Sequence, residues 1–271
     1  MPHSNDAPVV KTSATTSHLY LWKKRTLYIG RFEGPLDVSQ GASTLSVSLT
    51  EPFSFQTTEM SEPMLCHSVL LPPGQTVCVD PKNAIVANCN LDALGRDHHA
   101  LIPYASQKIG DIGFNLSNED TLIDCFSIMF DAQMNSEDAF LHLESYLQTK
   151  EQANTKTLHI DPRIENIIDY IQDTVNDHIT GEELAESVNL SIPRLAQLFK
   201  QQTGIPIRRY RLWHRLYLTA QHVGKGKNLT DAAIAAGFTD SSHFAHTFRS
   251  MLGMTPSYIL SQVNKTRIVI Q

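Results

Sequence analysis

The sequence predicts a two-domain α+β protein: a strand-rich first half forming a β-barrel or sandwich with two helices, and an all-helical second half. Three observations predict it. Short β-branched and aromatic runs separated by turn residues fill residues 19–91. Apolar residues at helical spacing dominate after residue 161. The charge changes sign along the chain: residues 1–160 carry 10 Lys and Arg against 18 Asp and Glu, a balance of −8, whereas Ser191–Gln271 carries 11 against 2, a balance of +9. The formal net charge of −6 hides that asymmetry, which suits a basic segment meant for a polyanion joined to an acidic partner domain.

The 271 residues suffice for two domains of about 100–200 residues each, and a composition of 41% hydrophobic and 18% charged residues excludes disordered and collagen-like classes. No apolar run approaches the ~18–20 residues that a membrane-spanning helix needs, so no membrane partner is expected. The first residues, MPHSNDAPVVKTSATTS, lack a basic region followed by an apolar core, and 1–16 reads as a disordered lead-in rather than an export signal. Cys66, Cys78, Cys89 and Cys125 form no C-x-x-C pair; they are expected to be reduced and mostly buried, in a cytoplasmic protein.

Taken in order, residues 17–148 form the first domain. Strands are expected at Leu19–Trp22, Thr26–Phe32, Thr44–Leu49, Cys66–Leu71, Thr76–Val79 and Ala84–Cys89, with turns at Glu33-Gly34-Pro35, Glu51-Pro52 and Pro72-Pro73-Gly74. Helices follow at Asn118–Phe130 and Ser136–Gln148. The polar stretch Thr149–Thr157 marks a linker over 149–160, and everything in 161–271 has a helical pattern. Ile164, Ile167, Ile168 and Ile171 give Pro162–Thr174 an apolar stripe.

Two short helical units come next, each with a tight turn inside. Thr180 and Glu183 have capping-box spacing for a helix over Gly181–Val188; Ser191 then caps a second helix with Ile192, Leu195, Ala196 and Phe199 on one face, closed by Gly204. In the second unit Thr230 opens a helix through Ala236, Gly237-Phe238 turns, and Thr239 or Asp240 caps a helix with Phe244, Phe248, Met251 and Leu252 inward, closed by Gly253. Ala185 matches Ala233 at an offset of 48, while Leu195, Phe199 and Gly204 match Phe244, Phe248 and Gly253 at 49. The units are an internal repeat, with one extra residue in the second turn. The Arg- and aromatic-rich helix Ile207–Val223 joins them.

Two helix-turn-helix units joined by one helix suit double-stranded DNA, because each second helix can enter a major groove about 12 Å wide. On the first such helix the face away from the core presents Pro193, Arg194 and Gln197 to bases, with Lys200 and Gln201 towards phosphates. Arg pairs well with guanine edges and Gln with adenine. On the second, Ser241, Ser242, His243 and His246 face the bases, and Ser and His are less committed readers. Arg208, Arg209, Arg211 and Arg249 are further candidates for phosphate contact, which supplies affinity rather than sequence choice.

The stretch Ala232–Tyr258 carries Gly237-Phe238, Ser242, Phe244, Phe248-Arg249, Gly253 and Thr255-Pro256; the first unit carries Leu184-Ala185, Ser191, Leu195, Phe199-Lys200 and Gly204. With these the last hundred or so residues resemble the AraC/XylS family of bacterial transcription regulators. The resemblance implies a seven-helix domain whose two recognition helices enter successive major-groove segments, one helical turn (~34 Å) apart. It also implies an activator that recruits RNA polymerase and carries an N-terminal cupin-like domain. That domain would sense a small-molecule effector or make a homodimer, with Ser136–Gln148 as a candidate dimer contact. Two positions depart from the family pattern: His246 stands where Arg is common, and Ala232 where a larger aliphatic residue is usual.

A rival reading places a metal-dependent cupin enzyme or metal sensor in residues 17–148, with DNA binding secondary. Such a site needs a His-x-His pair with a nearby Glu. His67 is alone on its strand, and His98-His99 are neighbours in an expected loop, where adjacent side chains point opposite ways. No metal, cofactor or catalytic residue is therefore expected. The reading that emerges is a DNA-binding regulator and not an enzyme.

Overall fold

The computed structural model describes residues 17–270 except 33, 40, 154–157, 175–178, 253–254 and 258–265. The lead-in over 1–16, Glu33 of the first turn and Gly253 lie outside the described residues. The first half is built from β1 (Ser17–Leu21), β2 (Thr26–Gly30), β3 (Leu36–Ser39), β4 (Thr44–Ser48), β5 (Phe53–Thr57), β6 (Met64–Cys66), β7 (Ser68–Leu71), β8 (Thr76–Asp80) and β9 (Val86–Asn90). After these come α1 (Arg96–Leu101), β10 (Ala105–Ile109), β11 (Ile112–Leu116), α2 (Glu119–Asp131) and α3 (Ser136–Ala153). The second half holds α4 (Pro162–Asp173), α5 (Gly181–Ser187), α6 (Ile192–Thr203), α7 (Ile207–Gly224), α8 (Leu229–Ala235) and α9 (Ser241–Leu252), and the last described element is β12 (Thr266–Ile270).

The strands form two sheets, one in the order β10-β11-β7-β4-β9-β2-β1-β12 and the other β3-β8-β5-β6. Alternation along each strand decides what each face buries. In the large sheet Leu27, Ile29, Leu45 and Val47 point to one side, where Phe126 and Met129 of α2 and Leu143 of α3 close over them with Tyr20 and Trp22. Between the two sheets Phe53, Phe55, Val69, Leu71, Val77 and Phe114 form a second core. The helices α2 and α3 therefore back a β-sandwich, as expected. Cys66, Cys89 and Cys125 are buried free thiols and Cys78 is half-buried; burial pushes Cys66 and Cys125 up to about 12.

Several elements differ from the sequence reading. Leu36–Ser39, Phe53–Thr57, Ala105–Ile109 and Ile112–Leu116 are strands that local pattern did not mark, because short strands gain their definition from cross-strand partners. His98 and His99 sit on α1, not in a loop. The expected linker is helical through Ala153, an extension of α3. The largest departure is β12: the C-terminus is not helical throughout but returns to the first domain, pairing in parallel with β1 from Ser17↔Thr266 to Leu21↔Ile270. The run Ile268-Val269-Ile270 has high β propensity, and the open edge of β1 gives it backbone partners.

The helical half has two cores rather than one. Ile164, Ile167, Ile168 and Ile171 of α4, Leu184 and Ala185 of α5, Leu195, Leu198 and Phe199 of α6 and Tyr210 of α7 form the first. Leu216 of α7, Ala233 and Ala236, Phe238, and Phe244 and Met251 of α9 form the second. Helix α7 thus serves one core with its first turn and the other with its later turns.

Candidate nucleic-acid interface

Each unit follows from local sequence chemistry. Thr180 Oγ1 accepts from Glu183 N at 3.1 Å while the Glu183 carboxylate accepts from Thr180 N at 2.7 Å, the reciprocal capping box that the spacing predicted for α5. Asn189 turns the chain at φ 53°, and its counterpart 48 residues on, Gly237, does so at φ 87°. The extra residue of the second unit lies between Phe238 and Asp240, so the repeat seen in sequence is a repeat in space. Ser191 occupies the N-cap of α6 without a side-chain hydrogen bond. Asp240, by contrast, accepts from His243 N at 2.8 Å and caps α9. For α8 the cap is Asn228, which accepts from Asp231 N, rather than Thr230.

On α6 the buried stripe is Leu195, Leu198, Phe199 and Thr203, which turns Ile192 and Ala196 outward, against the expectation that they face inward. The helix buries the positions that i, i+3, i+4 and i+8 spacing brings onto α4 and α5. Pro193, Arg194, Gln197, Lys200 and Gln201 are all exposed on the opposite side. Arg194 Nη1 donates to Gln197 Oε1 at 2.9 Å, so the two best candidates for base contact are hydrogen-bonded to one another. On α9 Ser241, Ser242, His246, Arg249 and Ser250 are exposed. His243 is half-buried: its Nδ1 lies 3.1 Å from Thr239 Oγ1 and its ring meets Phe238 edge-on at 5.3 Å.

The expected phosphate contacts separate into two sets. Lys200, Gln201, Arg208 and Arg249 are exposed. Arg209 and Arg211 are half-buried and engaged within the chain. Arg209 Nη2 donates to the Ser39 carbonyl at 2.5 Å, and Arg211 Nη1 donates to the Ile179 carbonyl at 2.9 Å. Burial lowers the Arg209 guanidinium from its ordinary value. Sequence spacing could not reveal this, since Ser39 is 170 residues away.

The first domain holds both units. Pro73 presses on Gly204, the C-cap of α6, where φ is +76° and a Cβ would lie 2.4 Å from Pro73 Cγ. Ala93 and Leu94 pack against the first core. Arg96 pairs with Glu165, and Lys23 Nζ lies 3.1 Å from Asp173 Oδ1. Gly41 lies against Trp213 of α7 and Met251 of α9. Under this interface Arg25 grips Asp97 with two hydrogen bonds of 2.6 and 2.7 Å and Glu144 with a third. Beside that trio burial and the Asp97 charge push Asp92 up to about 6. His214 of α7 is buried there, and desolvation brings it down to about 4. Sequence reasoning missed these groups because no local motif marks them.

Among the described residues no three His, Cys, Asp or Glu side chains gather as a metal site would need, and no helix is long and apolar enough to cross a membrane.

Comparison with known proteins bears on the helical half first. Residues 184–262 match a family described as a helix-turn-helix domain. The HTH-type transcriptional activator RhaS of Klebsiella pneumoniae is 34% identical over 98 residues, and that of Citrobacter koseri 32% over 98. Each match covers 35% of this chain and 35% of the relative, so the likeness spans about a third of those proteins. Over nearly the whole chain the fold is that of ToxT from Vibrio cholerae O395, with a TM-score of 0.56 at 14% identity, covering 92% of this chain and 97% of that one. The strand-rich half followed by helices is thus a shared architecture. Residues 184–262 of this chain thus form a helix-turn-helix domain similar to that of these activators.

Proposed function

We propose that this chain is a sequence-specific DNA-binding regulator of transcription with an N-terminal sensing domain. The observation that carries the reading is the doubled unit itself: α6 and α9 each bury one face and leave a polar outer face open, and one helix, α7, joins them. Arg194 and Gln197 read bases in the first unit, and Ser241, Ser242, His243 and His246 lie nearest the bases in the second. Lys200, Gln201, Arg208 and Arg249 hold phosphates, while Arg209 and Arg211 stay engaged by the Ser39 and Ile179 carbonyls. The activator names of the RhaS relatives support activation as the sign of regulation; RNA polymerase is the protein partner that this reading proposes.

The function needs no catalytic chemistry of its own, and a cytoplasmic setting suits it. An effector bound in the sandwich acts on DNA binding through the contacts at Pro73, Leu94 and Gly41, which reach both units. The outer face of α3 is the candidate surface for a second copy. Selection of bound fragments from random DNA by the full chain, followed by footprinting, tests the reading. The expected result is a defined site with two protected major-groove segments about 34 Å apart. Protection of one segment, or of no defined sequence, sinks it.

A further inference from the structure

Between the large sheet and the helical half lies a pocket of about 170 Å³ whose walls come from both domains. Leu19 and Leu21 of β1 and Leu36 of β3 supply one side; Trp213 of α7 and Phe248 and Met251 of α9 supply the other. Its floor is different. The sheet face opposite α2 and α3 carries two polar rows in register, Tyr28–Asn88–Ser46 and Thr26–Asn90–Thr44, across β2, β9 and β4. Small polar residues on an inward sheet face cost free energy unless each polar atom finds a partner.

The two asparagines on β9 differ in that respect. Asn90 is satisfied at both ends of its amide: Nδ2 donates to Thr26 Oγ1 at 2.9 Å and Oδ1 accepts from Thr44 Oγ1 at 3.0 Å. Asn88 is satisfied at one end, where Oδ1 accepts from Ser46 Oγ at 2.7 Å, and its Nδ2 donates to no described residue. With Oδ1 engaged by that hydroxyl, Nδ2 is the donor left to the pocket that Asn88 lines. No Lys, Arg, His, Asp or Glu lines the pocket among the described residues. A carboxylate or ammonium placed there would lose its water without gaining a counter-charge. An apolar cavity of about 150 Å³ holds a benzene-sized guest, which sets the scale.

We propose that this pocket takes a small, uncharged, mainly apolar molecule bearing one oxygen acceptor, and that Asn88 is the specificity-determining residue that reads the oxygen. The proposal rests on the sensing reading above for its consequence, since the guest touches Phe248 and Met251 on the inward side of α9. Its binding part stands apart from DNA.

The test uses the full chain without DNA and three probes sharing one ring: acetophenone, ethylbenzene and benzoate, with dissociation constants from ligand-observed NMR at pH 7. Both neutral probes are expected to bind, and benzoate at least about tenfold more weakly than acetophenone. Asn88→Leu is expected to weaken acetophenone relative to ethylbenzene about fivefold, the worth of one hydrogen bond, while ethylbenzene still binds. Leu36→Trp, which fills the pocket, is expected to abolish both. Benzoate binding as tightly as acetophenone, failure of both neutral probes, neutral binding that survives Leu36→Trp, or an unchanged ratio in Asn88→Leu overturns the proposal. The wild-type series decides the charge preference even where a variant fails to fold. Failure here leaves the two-segment footprint standing, and failure of the footprint leaves these binding constants standing.

Discussion

The first helix-turn-helix unit and the second share a plan but not a setting. Helix α6 meets the first domain at its C-terminal end, where Gly204 lies under Pro73, and its core is closed by α4, whose four isoleucines have no counterpart among the described residues of the second unit. Among the described residues no such helix lies behind α9; its inward side faces α7, the Gly41 corner and a pocket. Phe199 is 0% exposed, whereas Phe248, its match in the repeat, is half-buried and lines the pocket. The first unit thus has a closed core and an Arg194–Gln197 pair already in place. The second is the adjustable half, with Ser and His on its outer face and open volume at its back. Repeated sequence does not guarantee equal rigidity, because packing density comes from neighbours outside the repeat.

Truncating matched aromatics tests this most severely. Phe199→Ala is expected to cost about 3–5 kcal/mol in urea unfolding, and Phe248→Ala about 1–2 kcal/mol, since its cavity is partly formed already. Equal losses would erase the distinction.

Acid comes next in size. The buried His214 of the α4–α7 contact stays neutral down to about 4, while in the unfolded chain it charges near 6.5. The unfolded state therefore binds the proton first: the stabilisation is complete above about 6.5 and is lost as pH falls towards 4. Asp92, raised to about 6, works the other way, favouring the folded state as it protonates below that value. His214→Phe is expected to gain about 2 kcal/mol on the parent between pH 7 and pH 5, read as the change in unfolding free energy. A gap that stays constant with pH breaks the assignment.

Base reading gives the next contrast. Arg194→Ala or Gln197→Ala should weaken the preferred site by about 1–3 kcal/mol and relax the choice at one or two base pairs. Ser242→Ala should cost less than 1 kcal/mol, the scale of one neutral hydrogen bond. Competition binding against single-base variants of the site measures both. Uniform losses across sequences for Arg194 would mean that α6 faces the groove differently.

The smallest effect separates the two sets of arginines. Arg249→Ala should weaken all sequences alike and reduce the slope of log affinity against log salt by about 0.9. Arg209→Ala should leave that slope nearly unchanged if its tie to the Ser39 carbonyl persists on DNA. Anisotropy titrations from low to high salt read the difference.

Much of the helical half was legible in the chain because its signals are local. A capping box at Thr180, an isoleucine stripe at 3–4-residue spacing, and the turn at Gly237-Phe238 each lie within a few residues of what they specify. The outward face of α6 followed from its inward one, although Ile192 and Ala196 were placed on the wrong side. The strand half was less legible. β5 and β11 acquire their identity from Phe55 and Phe114 meeting at 5.5 Å across the sandwich, 59 positions apart in sequence.

By itself the sequence determined the doubled unit, the caps of α5 and α9, the turns, the basic tail and the polar outer faces, all consequences of short-range periodicity and charge. Tertiary structure alone decided that Arg209 is tied to Ser39 and that β12 joins β1. It also decided that Asn88, Leu36 and Phe248 border one space. The physical reason is that backbone pairing and burial join groups from distant parts of the chain, and no spacing rule along one segment encodes which distant group will be there.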